Sequence, residues 1–315
     1  MSELTPVFIF SAPRSGTTML GAMLGASAEA VALPEAPFIG YLHYRYLREA
    51  ERVPAQRIVD EINGSFRLAH WGIGRLDDRF PVPEHLDDTG YGALVEAMVR
   101  AFVERQGGKG VRVWIEHSPV HSRYVEGLRR IFPKARFLHL VRDGRAVAAS
   151  TLPLDWGANT IREAAAGWLE DIAYGVTAEQ LLSPDVCLRV HYEALLLSPE
   201  EMLKTICDFL SLPYESDMVR GQGFHVPDYT RSQHELVGRA PDKERVSAWR
   251  DALTEREVKI FEDSAGPMLL RLGYDLTQTA VPQPTVFYER VAMGAKGFAK
   301  KELKNRLSNK LRRMK

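Results

Sequence analysis

Residues 11–18, Ser-Ala-Pro-Arg-Ser-Gly-Thr-Thr, bring four hydroxyls, one guanidinium and one glycine into a single short stretch. The apolar run Val7 to Phe10 precedes it and a small-residue stretch from Gly16 follows it. A loop between a buried strand and a helix start presents unpaired backbone N–H groups and the positive end of the helix dipole, which suits a phosphate or a sulfate. Gly16 lets the backbone approach an anion, and the hydroxyls of Ser15, Thr17 and Thr18 add donors. The triphosphate-binding form of such a loop reads G-x-x-x-x-G-K-[ST]. Here Ser11 stands for the first Gly and Thr17 for the Lys, so the charge clamp of a kinase or ATPase is missing. Arg14 supplies a cation from inside the loop, its planar fork matching an oxygen pair of either anion. From this loop alone, ATP, another phosphate-bearing donor and an ordinary capped turn all stay open.

Those side chains need a strand, a turn and a helix to hold them. Val7 to Phe10 reads as a short buried strand, and Gly16 to Ala26 as a helix with Met19/Met23 and Leu20/Leu24 at i, i+4. "ARFLHLVRDGRAVAASTL" repeats the arrangement: a strand over Phe137 to Val141, the charged turn Arg142-Asp143-Gly144-Arg145, then a helix capped by Asp143. Taken alone, that turn is as readily a surface ion pair as an anion clamp. Between the two lie a Pro-punctuated loop at 31–40, an irregular stretch at 63–90 around the opening of the site, and a helix over 91–105. "VRVWIEHSP" comes next as a buried strand running into a turn at Pro119, and "VEGLRRIFP" as a short helix stopped by Pro133. "VCLRVHYEALLLSPEEMLKTICDFLSLP" adds a strand and an amphipathic helix opened by Ser198-Pro199. Strands alternating with helices predict the α/β class, with a central parallel sheet flanked by helices.

Composition agrees with a soluble globular chain of 315 residues, 45% hydrophobic and 26% charged. Lys+Arg and Asp+Glu both number 41, which gives no global reason to expect a nucleic-acid partner. Cys187 and Cys207 sit in apolar contexts and read as small buried hydrophobes. No His/Cys/Asp cluster has metal-ligand spacing. The N-terminus lacks the pattern of a signal peptide and no run of about 18 apolar residues occurs, so a cytoplasmic location is expected. Two segments are expected: a compact domain over 1–280, then a Pro-interrupted linker and a basic tail over 281–315. In 296–315, nine Lys/Arg face one acid, and Ala299, Leu303, Leu307 and Leu311 recur every four residues. That is the pattern of a basic amphipathic helix suited to an anionic membrane surface or a partner groove.

"SAPRSGTTML" resembles the 5′-phosphosulfate loop of the sulfotransferase family. "FLHLVRDGRAVAAS" resembles that family's 3′-phosphate segment, with Arg142 and Ser150 at its usual spacing of eight. The likeness runs through most of residues 5–275, including "HYEALLLSPEEMLKTICDFLSLP" and "VSAWRDALTEREVKIFEDSAGPMLLRLGY". It implies the P-loop NTPase-like sulfotransferase fold and 3′-phosphoadenosine-5′-phosphosulfate (PAPS) as donor, leaving 3′,5′-bisphosphoadenosine. It also implies direct in-line displacement without a required metal, and a hydroxyl acceptor: sugar, phenol, peptide tyrosine or lipid-linked. By this resemblance Arg14, Ser15, Gly16, Thr17 and Thr18 hold the 5′ end, Arg142 and Ser150 the 3′-phosphate, and Tyr192 lines the adenine. Ser232, Arg239, Lys243 and Arg245 fall where relatives contact the 3′-phosphate side; the tyrosylprotein branch has its Lys at Ala248, and Arg245 is taken as the contact. Glu35, 21 residues after Arg14 as in that branch, is the expected general base, in "LPEAPF" beside Pro34, Pro37 and Phe38. His117 replaces the Lys of many relatives and is expected to give a hydrogen bond or proton to the leaving phosphate. A P-loop kinase and a non-catalytic nucleotide or anionic-surface binding protein are the alternatives.

Overall fold

The computed structural model describes residues 4–48, 52–108, 110–228, 231, 234, 237–277, 291, 294–295 and 297–299. Ser232, the Pro-interrupted stretch 281–285 and, apart from 297–299, the basic tail lie outside them. Five strands form one parallel sheet: β1 (Thr5–Phe10), β2 (Ala30–Ala32), β3 (Val113–Glu116), β4 (Arg136–Val141) and β5 (Cys187–His191), in the order β2-β3-β1-β4-β5. Their sequences are apolar with little alternation, as strands covered on both faces must be. Val7 to Phe10 are fully buried at the centre of the sheet. The Phe8 ring meets Trp114, Phe132 and Phe137 with centroids no more than 6.0 Å away. Each such side chain contributes about 2–3 kcal/mol by leaving water.

The chain divides into two compact units. The first, up to Ser11 with Gly16–Val141 and Tyr174–Asp242, contains the whole sheet. There α1 (Thr17–Leu24) packs on β1, β2 and β3. α2 (Asp88–Arg105) starts at Asp87, whose carboxylate caps Gly90 N–H at 2.7 Å. The second unit, Ala12–Ser15 with Arg142–Ala173 and the chain from Lys243 on, contains α3 (Gly144–Thr151). A long helix comes next as α4 (Ile161–Leu181), and α5 (Pro199–Leu210) packs on β5 in the first unit. α6 (Glu255–Arg271), opened by a Thr254–Glu257 capping box, packs on α3 in the second. Trp168 and Phe261, with ring centroids 5.8 Å apart, crowd Gly144, where a Cβ would come within 2.6 Å of Phe261. Only glycine fits that helix start.

The chain leaves the carboxyl end of β1 toward β2 on one side of the sheet, and that of its neighbour β4 toward β5 on the other. Adjacent strands whose onward connections part in this way mark where open α/β sheets bind ligands. In the chain, residues 11–15 follow β1 and Arg142-Asp143 follow β4.

The stretch 63–90 is more ordered than its composition suggests. It carries short helices at Phe66–Ala69 and Leu76–Arg79, and buries Leu68, Trp71 and Leu76. Helices of four residues are too short for periodicity to register.

Candidate active site

In the second unit, Arg14 has φ 68°, one of two non-glycine residues with positive φ among those described. A left-handed conformation costs energy for any side chain but glycine's and is retained chiefly where function requires it. Arg14 Nε donates to Ser150 Oγ at 3.3 Å, and Arg142 Nη1 donates to the Arg14 carbonyl at 2.7 Å. Three residues singled out from two separate motifs are thus in direct contact. The Ser15 hydroxyl is buried and has no hydrogen-bond partner among the described residues.

Two neighbours hold Arg142 in place. Trp168 Nε1 donates to its carbonyl at 3.3 Å, and Asp143 caps α3 by accepting from Arg145 N–H at 2.9 Å. Arg145 is buried: its Nε and Nη2 donate to Asp143 at 3.0 and 2.8 Å, its Nη1 to Glu262 at 2.5 Å, and its guanidinium lies over Trp249. Of the two arginines in "RDGR", the second is therefore structural. Arg245 is exposed on a single turn of 3-10 helix, Lys243–Val246.

In the first unit, Gly16 precedes α1 at φ 97°, and no side chain caps the helix. The first N–H groups of α1 therefore stay open to an anion. Thr17 and Thr18 are buried beside them. The Tyr192 ring lies so close that a Cβ on Gly16 would be 2.7 Å from it. This tyrosine, expected along an adenine, packs against the loop's own glycine.

Glu35 lies beyond the end of β2, partly exposed, and accepts from Arg67 Nη1 at 2.7 Å. The apolar wall expected around this carboxylate is accompanied by a cation. His117 comes directly after β3 with its side chain buried, its Nδ1 4.0 Å from Glu35 Oε1 and its ring edge-on to Phe224 at 5.0 Å. Neither ring nitrogen has a hydrogen-bond partner among the described residues. Gly21 of α1 makes room for this ring, since a Cβ there would approach it to 2.9 Å. Glu116, fully buried, accepts from Ala36 N–H, Ser118 N–H and Ser118 Oγ, and pairs with His121. Burial on its own would raise the Glu116 carboxyl, but attraction and a hydrogen bond from His121, with His117 and the Ala36 amide, outweigh it and hold it at about 2.

Sequence reasoning missed Arg67, Glu116 and Phe224. Arg67 and Phe224 carry no local signal: the first sits on a four-residue helix and the second on a loop. Glu116 was visible as an acid closing an apolar strand, a placement that demands buried partners.

The Sulfotransferase family model matches residues 6–216, more than half of the chain. Protein-tyrosine sulfotransferase A of Caenorhabditis elegans is 26% identical over 279 residues, covering 85% of this chain and 67% of that protein. Protein-tyrosine sulfotransferase 1 of Danio rerio is 27% identical over 288 residues, covering 87% and 73%. Among solved structures, the sulfotransferase domain from the curacin biosynthetic pathway superposes with a TM-score of 0.59 at 17% identity, covering 88% of this chain and all of that one. These relatives correct the expectation of a cytoplasmic location, because protein-tyrosine sulfotransferases are Golgi membrane enzymes. The missing signal-peptide pattern therefore assigns no compartment. Among the described residues no helix is long and apolar enough to cross a membrane. The kinase and non-catalytic alternatives fall to the same comparisons: the fold, the loop contacts and the family match agree, and the chain belongs to the sulfotransferase family as a sulfotransferase enzyme.

Proposed function

We propose that the protein moves a sulfuryl group from PAPS to a hydroxyl acceptor by direct in-line displacement, with Glu35 as general base. The observation that carries this reading is the contact of Arg14 with both Ser150 and Arg142. A donor with a 3′-phosphate and a 5′-phosphosulfate asks for two anion clamps working together, and the two motifs meet in that contact. The buried Ser15 hydroxyl, without a hydrogen-bond partner among the described residues, supports the same donor, because a buried polar atom calls for a partner. In this reading Arg14, Ser15, Gly16, Thr17 and Thr18 hold the 5′ end, and Arg142 and Ser150 hold the 3′-phosphate. Tyr192 flanks the adenine and Arg245 serves the 3′-phosphate side.

The donor supplies an activated sulfuryl group, and sulfuryl transfer asks for positioning and charge stabilisation rather than a covalent nucleophile. The Glu35 carboxylate takes the proton of the acceptor hydroxyl as that oxygen bonds to sulfur. Arg67, 2.7 Å away, orients the carboxylate. His117, buried and with neither ring nitrogen hydrogen-bonded among the described residues, gives a hydrogen bond or proton to the departing phosphate oxygen as its bond to sulfur breaks. The reading requires no metal.

Thermal-shift and turnover measurements test it. 3′,5′-Bisphosphoadenosine stabilises the protein and ATP with Mg²⁺ does not; the reverse result removes the donor assignment. Turnover is measured with ³⁵S-labelled PAPS against a tyrosine-containing peptide, a phenol and an oligosaccharide. Glu35→Gln keeps the affinity for 3′,5′-bisphosphoadenosine within about twofold while turnover falls at least ~10²-fold. Undiminished turnover removes Glu35 as the base.

A further inference from the structure

Glu116 is the last residue of β3, and its side chain is fully buried. A carboxylate in such a place needs donors for both oxygens. Oε1 accepts from Ala36 N–H and from Ser118 Oγ, each at 2.6 Å; Oε2 accepts from Ser118 N–H at 3.0 Å and pairs with His121 Nε2. Two of these donors are backbone amides that adjoin the proposed reacting groups: Ala36 is next to Glu35, and Ser118 is next to His117. The sheet explains why a side chain is needed. Leu33 N–H still reaches the Ile115 carbonyl at 2.9 Å, continuing the β2–β3 pairing, and beyond it the backbone ladder stops. Glu116 replaces the missing rungs with its carboxylate and ties the loop carrying Glu35 to the strand end carrying His117.

We propose that Glu116 is a positioning residue for sulfuryl transfer, clasping the two backbone segments that set Glu35 Oε1 and His117 Nδ1 4.0 Å apart. It touches neither donor nor acceptor and acts through these two side chains; the proposal rests on the reading of Glu35 as base. A carboxylate is needed because an amide cannot serve. Turned either way, the NH₂ of a Gln would face a backbone N–H, that of Ala36 or that of Ser118, and leave it buried and unpaired.

The test compares Glu116→Gln with Glu35→Gln and wild type, using labelled PAPS and whichever acceptor of the panel wild type sulfates. The expected result is a fall in kcat of about 10²-fold for Glu116→Gln, the scale at which misplacement of reacting groups registers, with affinity for 3′,5′-bisphosphoadenosine within about twofold of wild type. That separation of kcat from donor-product binding is what mere loss of structure does not produce. If Glu116→Gln folds and keeps wild-type kcat, or loses affinity and kcat together, the proposal is overturned. If it does not fold, Ser118→Ala decides: losing one of the four bonds lowers kcat several-fold at unchanged affinity, and unchanged kcat overturns the proposal. Wild-type turnover in Glu35→Gln sinks the base reading instead, whereas an inactive Glu35→Gln beside a fully active Glu116→Gln sinks only the role of Glu116.

Discussion

Gly16 combines two constraints that no other residue meets, a φ of 97° and a tyrosine ring 2.7 Å from where a Cβ would stand. Gly16→Ala is expected to cost ~1–3 kcal/mol through the strained backbone alone and to lose 3′,5′-bisphosphoadenosine binding as the loop is pushed off Tyr192. Adding Tyr192→Leu relieves the contact but not the φ, so it recovers part of the binding and little of the stability. Denaturation midpoints and binding isotherms of the single and double variants read the two effects separately; wild-type binding in Gly16→Ala would show that the glycine is dispensable. Residue types announced this position, since a glycine between hydroxyls before a helix invites an anion. The partners of the 35–36 segment were not announced, because Arg67 lies 32 positions beyond Glu35 and Glu116 80 positions beyond Ala36, and only folding brings them together.

At the scale of elements, the helix that carries Ser150 is held at its first turn by a buried ionic network, Asp143–Arg145–Glu262, with Thr277 Oγ1 also on Glu262 at 2.9 Å. Arg145→Ala leaves two buried carboxylates without their cation and is expected to cost about 3–5 kcal/mol. It also loosens the turn that presents Arg142, so affinity for 3′,5′-bisphosphoadenosine falls with stability. Arg145→Lys recovers only part, since an ammonium cannot fork to both acids. Thr254→Ala supplies the contrast: it removes a cap from α6, costs about 1 kcal/mol and leaves affinity unchanged. Chemical denaturation with titration calorimetry distinguishes them, and a stable, tight-binding Arg145→Ala would show that the network does not position Arg142. Asp143 as helix cap was legible from "VRDGRAV"; that Arg145 turns inward while Arg142 faces Arg14 was not. The two arginines are alike in sequence and differ only in what surrounds them.

Across the first unit, a partly buried acid ties three elements together. Glu179 of α4 pairs with His139 Nδ1 of β4 at 2.6 Å and with Arg189 Nε of β5 at 2.8 Å. Burial opposes its ionisation, but the hydrogen bonds from His139 and Arg189 prevail and hold its carboxyl at about 2, as in Glu116. A carboxyl whose folded-state pKa lies below its ordinary 4.5 stabilises the fold above that value, and the contribution drains away as pH falls from 4.5 to 2. The urea midpoint should therefore show no contribution from these acids between pH 7 and 5 and decline below 4.5. Glu179→Gln should start lower and decline less; a parallel decline would exclude Glu179 as a source.

The sequence by itself determined the α/β class, the strand–turn–helix units around 7–26 and 137–151 and the burial of both cysteines. These are legible because they rest on local causes: apolar runs, a cap, a glycine and a residue before a helix. Only the tertiary structure decided which acid meets which base. It joined Arg14 to Ser150, set Arg67 on Glu35, turned Arg145 into the core and bound Ala36 to Glu116. Each of these depends on a buried polar group finding a partner far along the chain. That requirement is imposed by removal from water, and spacing in the sequence does not express it.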